Sequence, residues 1–431
     1  MAKKKSKSSK SLKKFEKKLI AFEKKAQKQW EKVGPGLVTG ASDDDPSGIV
    51  TYSYAGAKGG YQFLWTALIT FPLLWNIQNI CGKIAIATKK GIVGILKQIS
   101  HPAVVYIIAF GMFFANTFNI AADLRAISDM LYYTAPLLPK EAWLIISSLA
   151  IMCAVVFLSY RKFANVLKYL SVTLGGYILV AFFSHTDWTQ AIQRTLIPSF
   201  ALTKESFLII TAILGTTISP YLFFWESEEE IEELKQRKHG FQKWREIKHM
   251  KADNAWGMFF SNAVMFFIIL ASANVIFATG KSPENIIDVA QALQPLAGNF
   301  STILFTLAVL GTGFLAIPVL AAGAAYILSE LFKKPASLDK KINQARFFYI
   351  ALLSSIFAGT LLSLLPISTI QFLFYTAILF GCIAPFLIFF ILLIANNKKI
   401  MGSYKNTAVE NILGVITLLV MAFTAIAGLL L

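Results

Sequence analysis

The chain has 431 residues, 56% of them hydrophobic and only 15% charged, with a mean hydropathy of +0.59. A soluble globular protein carries about 25% charged residues, so that class is excluded, and the lack of short alternating segments excludes a membrane β-barrel. The formal net charge of +17 would suit a nucleic acid, but it is concentrated at one end and in the connections between apolar stretches, which argues against that partner.

Residues 1–32 hold thirteen lysines against Glu16, Glu23 and Glu31, a local excess of +10. Phe15, Leu19, Ile20 and Phe22 are interleaved with them. The segment reads as a basic cytoplasmic piece, either an amphipathic helix on anionic lipid or a tail that fixes orientation. It lacks the short apolar core and small-residue cleavage site of a secretory signal.

Eleven apolar spans follow, at roughly 33–56, 61–82, 103–133, 142–159, 164–184, 206–226, 253–277, 300–328, 345–365, 370–395 and 409–431. With the N-terminus inside, the even-numbered connections should be basic. They are: Lys83, Lys89, Lys90 and Lys97 follow span 2, Arg161 and Lys162 span 4, and Lys235, Arg237, Lys238, Lys243, Arg245 and Lys248 span 6. Lys333, Lys334, Lys340 and Lys341 follow span 8, and Lys398, Lys399 and Lys405 span 10. An odd number of spans places the C-terminus outside.

Span 1 carries Asp43, Asp44 and Asp45 followed by Pro46, Ser47 and Gly48. A carboxylate at bilayer depth costs about 2.5–3.5 kcal/mol on insertion scales, and Pro with Gly should break the helix there. Span 6 repeats the interruption with Gly215 and Pro220 in the run Thr211 to Trp225. Interrupted segments at matching positions of two halves mark an inverted-repeat transporter. The expected fold is therefore all-α and polytopic: a five-plus-five inverted repeat of the leucine-transporter type, with broken helices 1 and 6 and an added eleventh helix. The expected divisions are 1–32, a transport core over 33–408 (repeats 33–184 and 206–395), and a last helix over 409–431.

Unwound backbone beside a buried acid suits a cation. Asp45 supplies the charge, or else caps the half-helix that follows Pro46, while Thr216, Thr217 and Ser219 supply hydroxyl oxygens, a set suited to Mg²⁺, Mn²⁺ or Ca²⁺. Ser219 and Thr216 have an alternative role, bonding back to their own helix. Cys81, Cys153 and Cys382 lie in apolar segments and read as small buried hydrophobes rather than disulfides or a zinc site.

The run GPGLVTGASDDDPSG, Gly34 to Gly48, resembles the first-helix region of the NRAMP family of divalent-metal transporters. That family carries Asp-Pro-Gly-Asn where this chain has Asp45-Pro46-Ser47-Gly48, and Ala-Thr-Val-Met-Pro-His or similar where it has Thr216-Thr217-Ile218-Ser219-Pro220-Tyr221. The resemblance covers nearly the whole chain. It implies a site at Asp45, Ser42, Gly48, Thr216 and Ser219, with Asp43, Asp44, Thr217, Tyr221, Asn116, Asp123, Asn262 and Glu226 as candidate vestibule or pathway residues.

The departures carry the finer reading. The family's metal-binding Asn and Met positions are Gly48 and Ser219 here, so the soft sulfur ligand is gone and the pocket is enlarged. Mg²⁺ dehydrates reluctantly and suits such a pocket; the pattern is similar to the NRAMP-related magnesium transporter branch. The family's proton-path His is Tyr221, its third-helix Glu is Asn116, and a further acid is Ala126; Asp123 remains, either on the path or paired with Arg125 or an arginine elsewhere. The resemblance thus implies a carrier of Mg²⁺, and also Mn²⁺, with the metal as cargo, no resident cofactor and weakened proton coupling. The alternative is a proton-coupled Mn²⁺/Fe²⁺ importer in the same membrane, a bacterial inner membrane.

Other features read more plainly. Glu226, Glu228, Glu229, Glu230, Glu232 and Glu233 suggest a solvated cytoplasmic helix end, with Glu226 a candidate for metal exit. Asn262 either faces the ion path or ties helices together. Gln371 opens span 10, and Gly381 and Pro385 interrupt it. An enzyme is disfavoured: adjacent Asp44 and Asp45 on a helix point about 100° apart, and no Ser–His pair is visible.

Overall fold

The structure, a computed structural model, describes residue 40 and residues 43–157, 172–236, 242–280, 282–338 and 340–431. The basic segment 1–32, Ser42 and the first part of spans 1 and 5 lie outside the described residues.

After the acidic triplet, α1 runs Pro46–Gly59. The chain continues through α2 (Trp65–Thr88), the short α3 (Ile92–Ile99), α4 (Pro102–Thr134), α5 (Lys140–Phe157), α6 (Gly175–Phe183) and α7 (Trp188–Leu196). Span 6 is two helices, α8 (Lys204–Thr217) and α9 (Pro220–Gln236). The long helices α10 (Lys243–Val275), α11 (Ser301–Leu331), α12 (Arg346–Leu362), α13 (Thr369–Asn396) and α14 (Ala408–Leu430) complete the chain. Each of the eleven expected spans holds a helix, and among the described residues seven are long and apolar enough to cross a membrane.

The caps follow local chemistry. Pro46 and Pro102 stand in the first turns of α1 and α4, where a missing N–H costs nothing. Thr407 and Glu410 form a capping box that starts α14. The amphipathic α3 buries Ile92, Val93, Ile95 and Leu96, and its first turn is held by Glu330 of α11, which accepts from Gly91 N at 2.9 Å and Gly94 N at 3.1 Å.

Packing repeats with an offset of five spans. Helix α1 packs on α10, span 1 on span 7, and α9 packs on α2, span 6 on span 2. The third span of each half, α4 and α11, pack on each other along their length. This is the exchange of neighbours that an inverted repeat produces.

Gly215 does not break its helix, contrary to the sequence reading; α8 runs through it to Thr217. A Cβ there would collide with the backbone of Ala377 and Gly381 on α13, and one at Gly381 with the Thr211 carbonyl. The two glycines let α8 and α13 meet backbone to backbone. Helix α13 likewise continues through Pro385. The cysteines are free, but only Cys81 is buried; Cys153 faces outward because it lies on the outer face of α5.

Candidate metal site

The two breaks meet. Pro46 and Pro220 each begin a helix, and neither has an N–H to give to the carbonyl four residues earlier. At the first break Asp45 becomes the N-cap of α1: its Oδ1 accepts from Gly48 N at 2.7 Å and from Ser47 Oγ at 2.6 Å. At the second break Ser219 Oγ bonds back to the Gly215 carbonyl at 3.1 Å and to the Thr216 carbonyl, which Pro220 cannot serve. The N-terminus of α1 and the C-terminus of α8 thus face one point, the first steadying the carboxylate and the second presenting the negative end of a helix dipole to a cation.

Side chains bridge the breaks. The hydroxyls of Ser47 and Thr216 lie 3.3 Å apart, and those of Tyr52 and Thr217 lie 2.9 Å apart. Gly48 sits in the same seam: a Cβ on it would stand 3.3 Å from both the Asp43 carbonyl and Thr216 Oγ1. Asp45, Gly48, Thr216, Thr217 and Ser219 are therefore brought together and buried. Tyr221 lies just past the break, buried against Phe380 with ring centroids 5.7 Å apart.

Helix α4 forms the third wall. Asn119 donates to Asp45 Oδ2 at 2.8 Å and lies 3.4 Å from Asp123 Oδ2. Asn116 donates to the Leu320 carbonyl of α11 at 3.1 Å. Asp123 does not pair with Arg125, as one sequence reading had it. Arg125 instead donates to the carbonyls of Ser363 and Leu365 at the end of α12, because residues two apart on a helix point to different faces.

Asp43 and Asp44 are buried rather than facing water, at 0% and 1% exposure. Ser261 of α10 reaches both, at 2.8 Å from Asp43 Oδ2 and 3.2 Å from Asp44 Oδ1. Its neighbour Asn262 points away, accepting from Thr70 of α2 at 2.6 Å and donating to the Met258 carbonyl at 2.9 Å. Asn262 ties α2 to α10. Glu226 lies six residues past Pro220 on α9 and accepts from Asn254 of α10 at 2.8 Å. The acidic run is not a solvated helix end: Glu226, Glu228, Glu230 and Glu232 are all buried where α9 packs on α2 and α11, and Glu232 accepts from Tyr326 at 2.6 Å.

Two residues the sequence reading missed thus touch the acids, Asn119 and Ser261. Asn119 had a signal, since Asn116, Asn119 and Asp123 recur at i, i+3 and i+7 on a mostly apolar helix. Ser261 had none that separated it from Asn262. None of Asp43, Asp44, Asp45 and Asp123 is in any ion pair among the described residues. Nor do the described residues hold a cluster of three or more His, Cys, Asp or Glu arranged for a metal. A cation bound here would meet one well-held carboxylate among neutral oxygens.

The fold has known counterparts. The chain is 25% identical over 396 residues to the divalent metal cation transporter MntH of Caldanaerobacter subterraneus subsp. tengcongensis, covering 89% of each chain. It is 23% identical over 385 residues to the protein of that name from Bacillus subtilis, covering 87% of this chain and 86% of that one. Among solved structures it is similar to the Eremococcus coleocola manganese transporter, with a TM-score of 0.74 at 16% identity over 91% of this chain and 85% of that one. It is similar also to the inward-facing form of Mhp1, with a TM-score of 0.51 at 12% identity over 92% of this chain and 89% of that one. The fold is the polytopic, leucine-transporter-like inverted repeat with an eleventh helix. Residues 36–431 match the family described as natural resistance-associated macrophage protein-like, and the chain belongs to that Nramp family.

Proposed function

We propose that this protein carries divalent metal cations across a membrane, Mg²⁺ foremost and Mn²⁺ also, by alternating access about the meeting point of the two breaks. The relatives named divalent metal cation transporters support the class of cargo. One observation carries the reading: Asp45 is buried at the junction of two broken helices with no cation among the described residues beside it. Asp45 is the anchoring ligand. Thr216 offers a hydroxyl across the seam, Gly48 positions the carboxylate through its N–H, and Ser219 caps the carbonyls freed at the second break and so holds its shape. Asp43, Asp44 and Ser261 form the approach on the α10 side. The metal is cargo, and the chain is a transporter rather than an enzyme.

Hard-ion preference is expected from the proposed ligands, which are oxygens with no sulfur at residue 219; the sulfur of Met265 is engaged by Thr217 Oγ1, from which it accepts at 3.5 Å. Influx needs no coupled ion, because the membrane potential supplies about 2.3 kcal/mol per charge per 100 mV, roughly double that for a divalent ion. The basic connections support an N-terminus in the cytoplasm and a C-terminus outside, and the bacterial relatives support an inner membrane.

A second reading, a proton-coupled Mn²⁺/Fe²⁺ importer, is favoured by the link from Asp45 through Asn119 to the buried Asp123, which offers a second site for a proton. Proteoliposomes carrying an internal pH dye separate the two. The uncoupled reading expects Mg²⁺ entry without acidification, and acidification that rises with metal dose contradicts it. For the site itself, Asp45→Ala should abolish uptake of both metals, and unchanged uptake would remove Asp45 from the mechanism.

A further inference from the structure

Past the apolar spans 206–226 and 300–328, on the side of the basic connections, carboxyls of two helices crowd one glycine. A Cβ on Gly91, the N-cap of α3, would collide with Glu228 Oε1 of α9 and with Glu330 Oε2 of α11. Both oxygens lie within 2.5 Å of that one point, so they are at most about 5 Å apart, inside the range where like charges oppose each other's ionisation. Glu228 is only 9% exposed, so little water screens the pair.

The two acids are not equivalent. Glu330 has the donors: Oε1 accepts from Gly91 N at 2.9 Å and Oε2 from Gly94 N at 3.1 Å, at a helix N-terminus that favours negative charge. Lys97 of the same helix stands close by, donating to the carbonyls of Glu330 at 3.4 Å and Leu331 at 2.6 Å. The described residues give the Glu228 carboxyl no hydrogen bond. Its charged neighbours are Glu330 first, then Lys235, Glu232 and Glu229 of its own helix, one lysine among acids. Tyr326 of α11 is turned to Glu232 instead, and Lys83 of α2, which also packs on α9, is held by Glu410 and Asn406. Glu330 is thus built to keep its charge and Glu228 to be neutral. A protonated Glu228 becomes a donor, and Glu330 is the acceptor beside it.

We propose that Glu228 and Glu330 share one proton, and that this proton latches the inner end of α9 to α11 and α3. Helix α9 begins at the second break, and Glu228 stands eight residues beyond Pro220. When the proton leaves to water, two carboxylates face each other and the latch lets go. Acid on the inner face therefore holds α9 in place, and alkali frees it to move. The consequence for transport rests on the reading proposed above; the shared proton does not.

Two readouts on the full-length protein test this. Infrared difference spectra taken from about pH 5 to about pH 9 should show the carbonyl stretch of a protonated carboxyl vanish. Glu228→Gln should lack that component, and, should it fail to fold, Glu330→Gln should move the component to lower pH. In proteoliposomes with equal pH on both faces, wild-type Mg²⁺ uptake should rise about 5-fold or more over the same range. Glu228→Gln, whose amide donates to Glu330 at every pH, should stay slow and flat; Glu228→Ala, with neither proton nor charge, should be fast and flat. An infrared component unchanged by both glutamine substitutions, or a pH response of uptake retained in Glu228→Gln, overturns the inference and leaves the transport reading standing. Displacement of the Glu228 component by added Mg²⁺ also overturns it, by placing a metal between the acids. A wild type that moves no Mg²⁺ while the infrared component behaves as expected overturns the transport reading instead.

Discussion

Two buried clusters of charge lie in this protein, and the chain treats them in opposite ways. At the start of α14, Glu410 is fully partnered. It accepts from Lys83 at 2.7 Å and Lys251 at 2.8 Å, and from Thr407 N at 2.8 Å, while Lys83 also donates to Asn406 at 2.8 Å. At the meeting of the breaks, Asp43, Asp44, Asp45 and Asp123 have only neutral donors among the described residues, and three of the four keep a bare oxygen. The first cluster supplies its own counter-charge and binds α2, α10 and α14 into one body. The second leaves the counter-charge to come from outside. Burial of an acid is therefore no guide to function by itself; what matters is whether the chain completes it.

The comparison can be broken at either end. The largest expected effect is at the open cluster: Asp45→Ala should lower metal uptake by at least roughly 100-fold, read as initial rate per folded protein. Next comes the closed cluster, where Lys83→Met leaves Glu410 with Lys251 alone. That should cost about 3 kcal/mol of stability, the low end for a broken buried pair, without altering the preference between Mg²⁺ and Mn²⁺. Thermal unfolding of purified protein reads the first quantity and competition uptake the second; a changed metal preference would mean the two clusters are not separate.

Ligand linkage sharpens the contrast. Mg²⁺ at about 100 times its dissociation constant should stabilise the wild type by about 2.7 kcal/mol, and Lys83→Met by as much. Asp45→Ala should gain nothing. Equal stabilisation of Asp45→Ala would place the ion elsewhere. Ser261→Ala removes the hydroxyl shared by Asp43 and Asp44, and uptake should slow about 10-fold with Asp45 still in place. The smallest effect belongs to Asn262→Leu, which loses only the tie to Thr70: about 1 kcal/mol of stability and unaltered selectivity in competition uptake.

The parts legible in the sequence were those with a local cause. Span length follows from bilayer thickness, and the two breaks follow from Pro46 and Pro220, whose missing N–H acts wherever the helix lies. Asp45 was legible because it directly precedes the first of them. Facing was not legible. Ser261 and Asn262 are equally plausible from the sequence, and a rotation of about 100° between them decides which meets the acids. Gly215 reads as a breaker until the backbone of α13 is found against it. The glutamates from Glu226 to Glu232 read as solvated because like charges usually are, yet α2 and α11 cover them. These depend on how helices distant in the chain are placed, which no local pattern records.

The most direct measurement is Mg²⁺ and Mn²⁺ uptake into proteoliposomes by the wild type, Lys83→Met and Asp45→Ala, each normalised to folded protein. The account predicts transport by the first two and none by the third. Uptake by Asp45→Ala at the wild-type rate would contradict it.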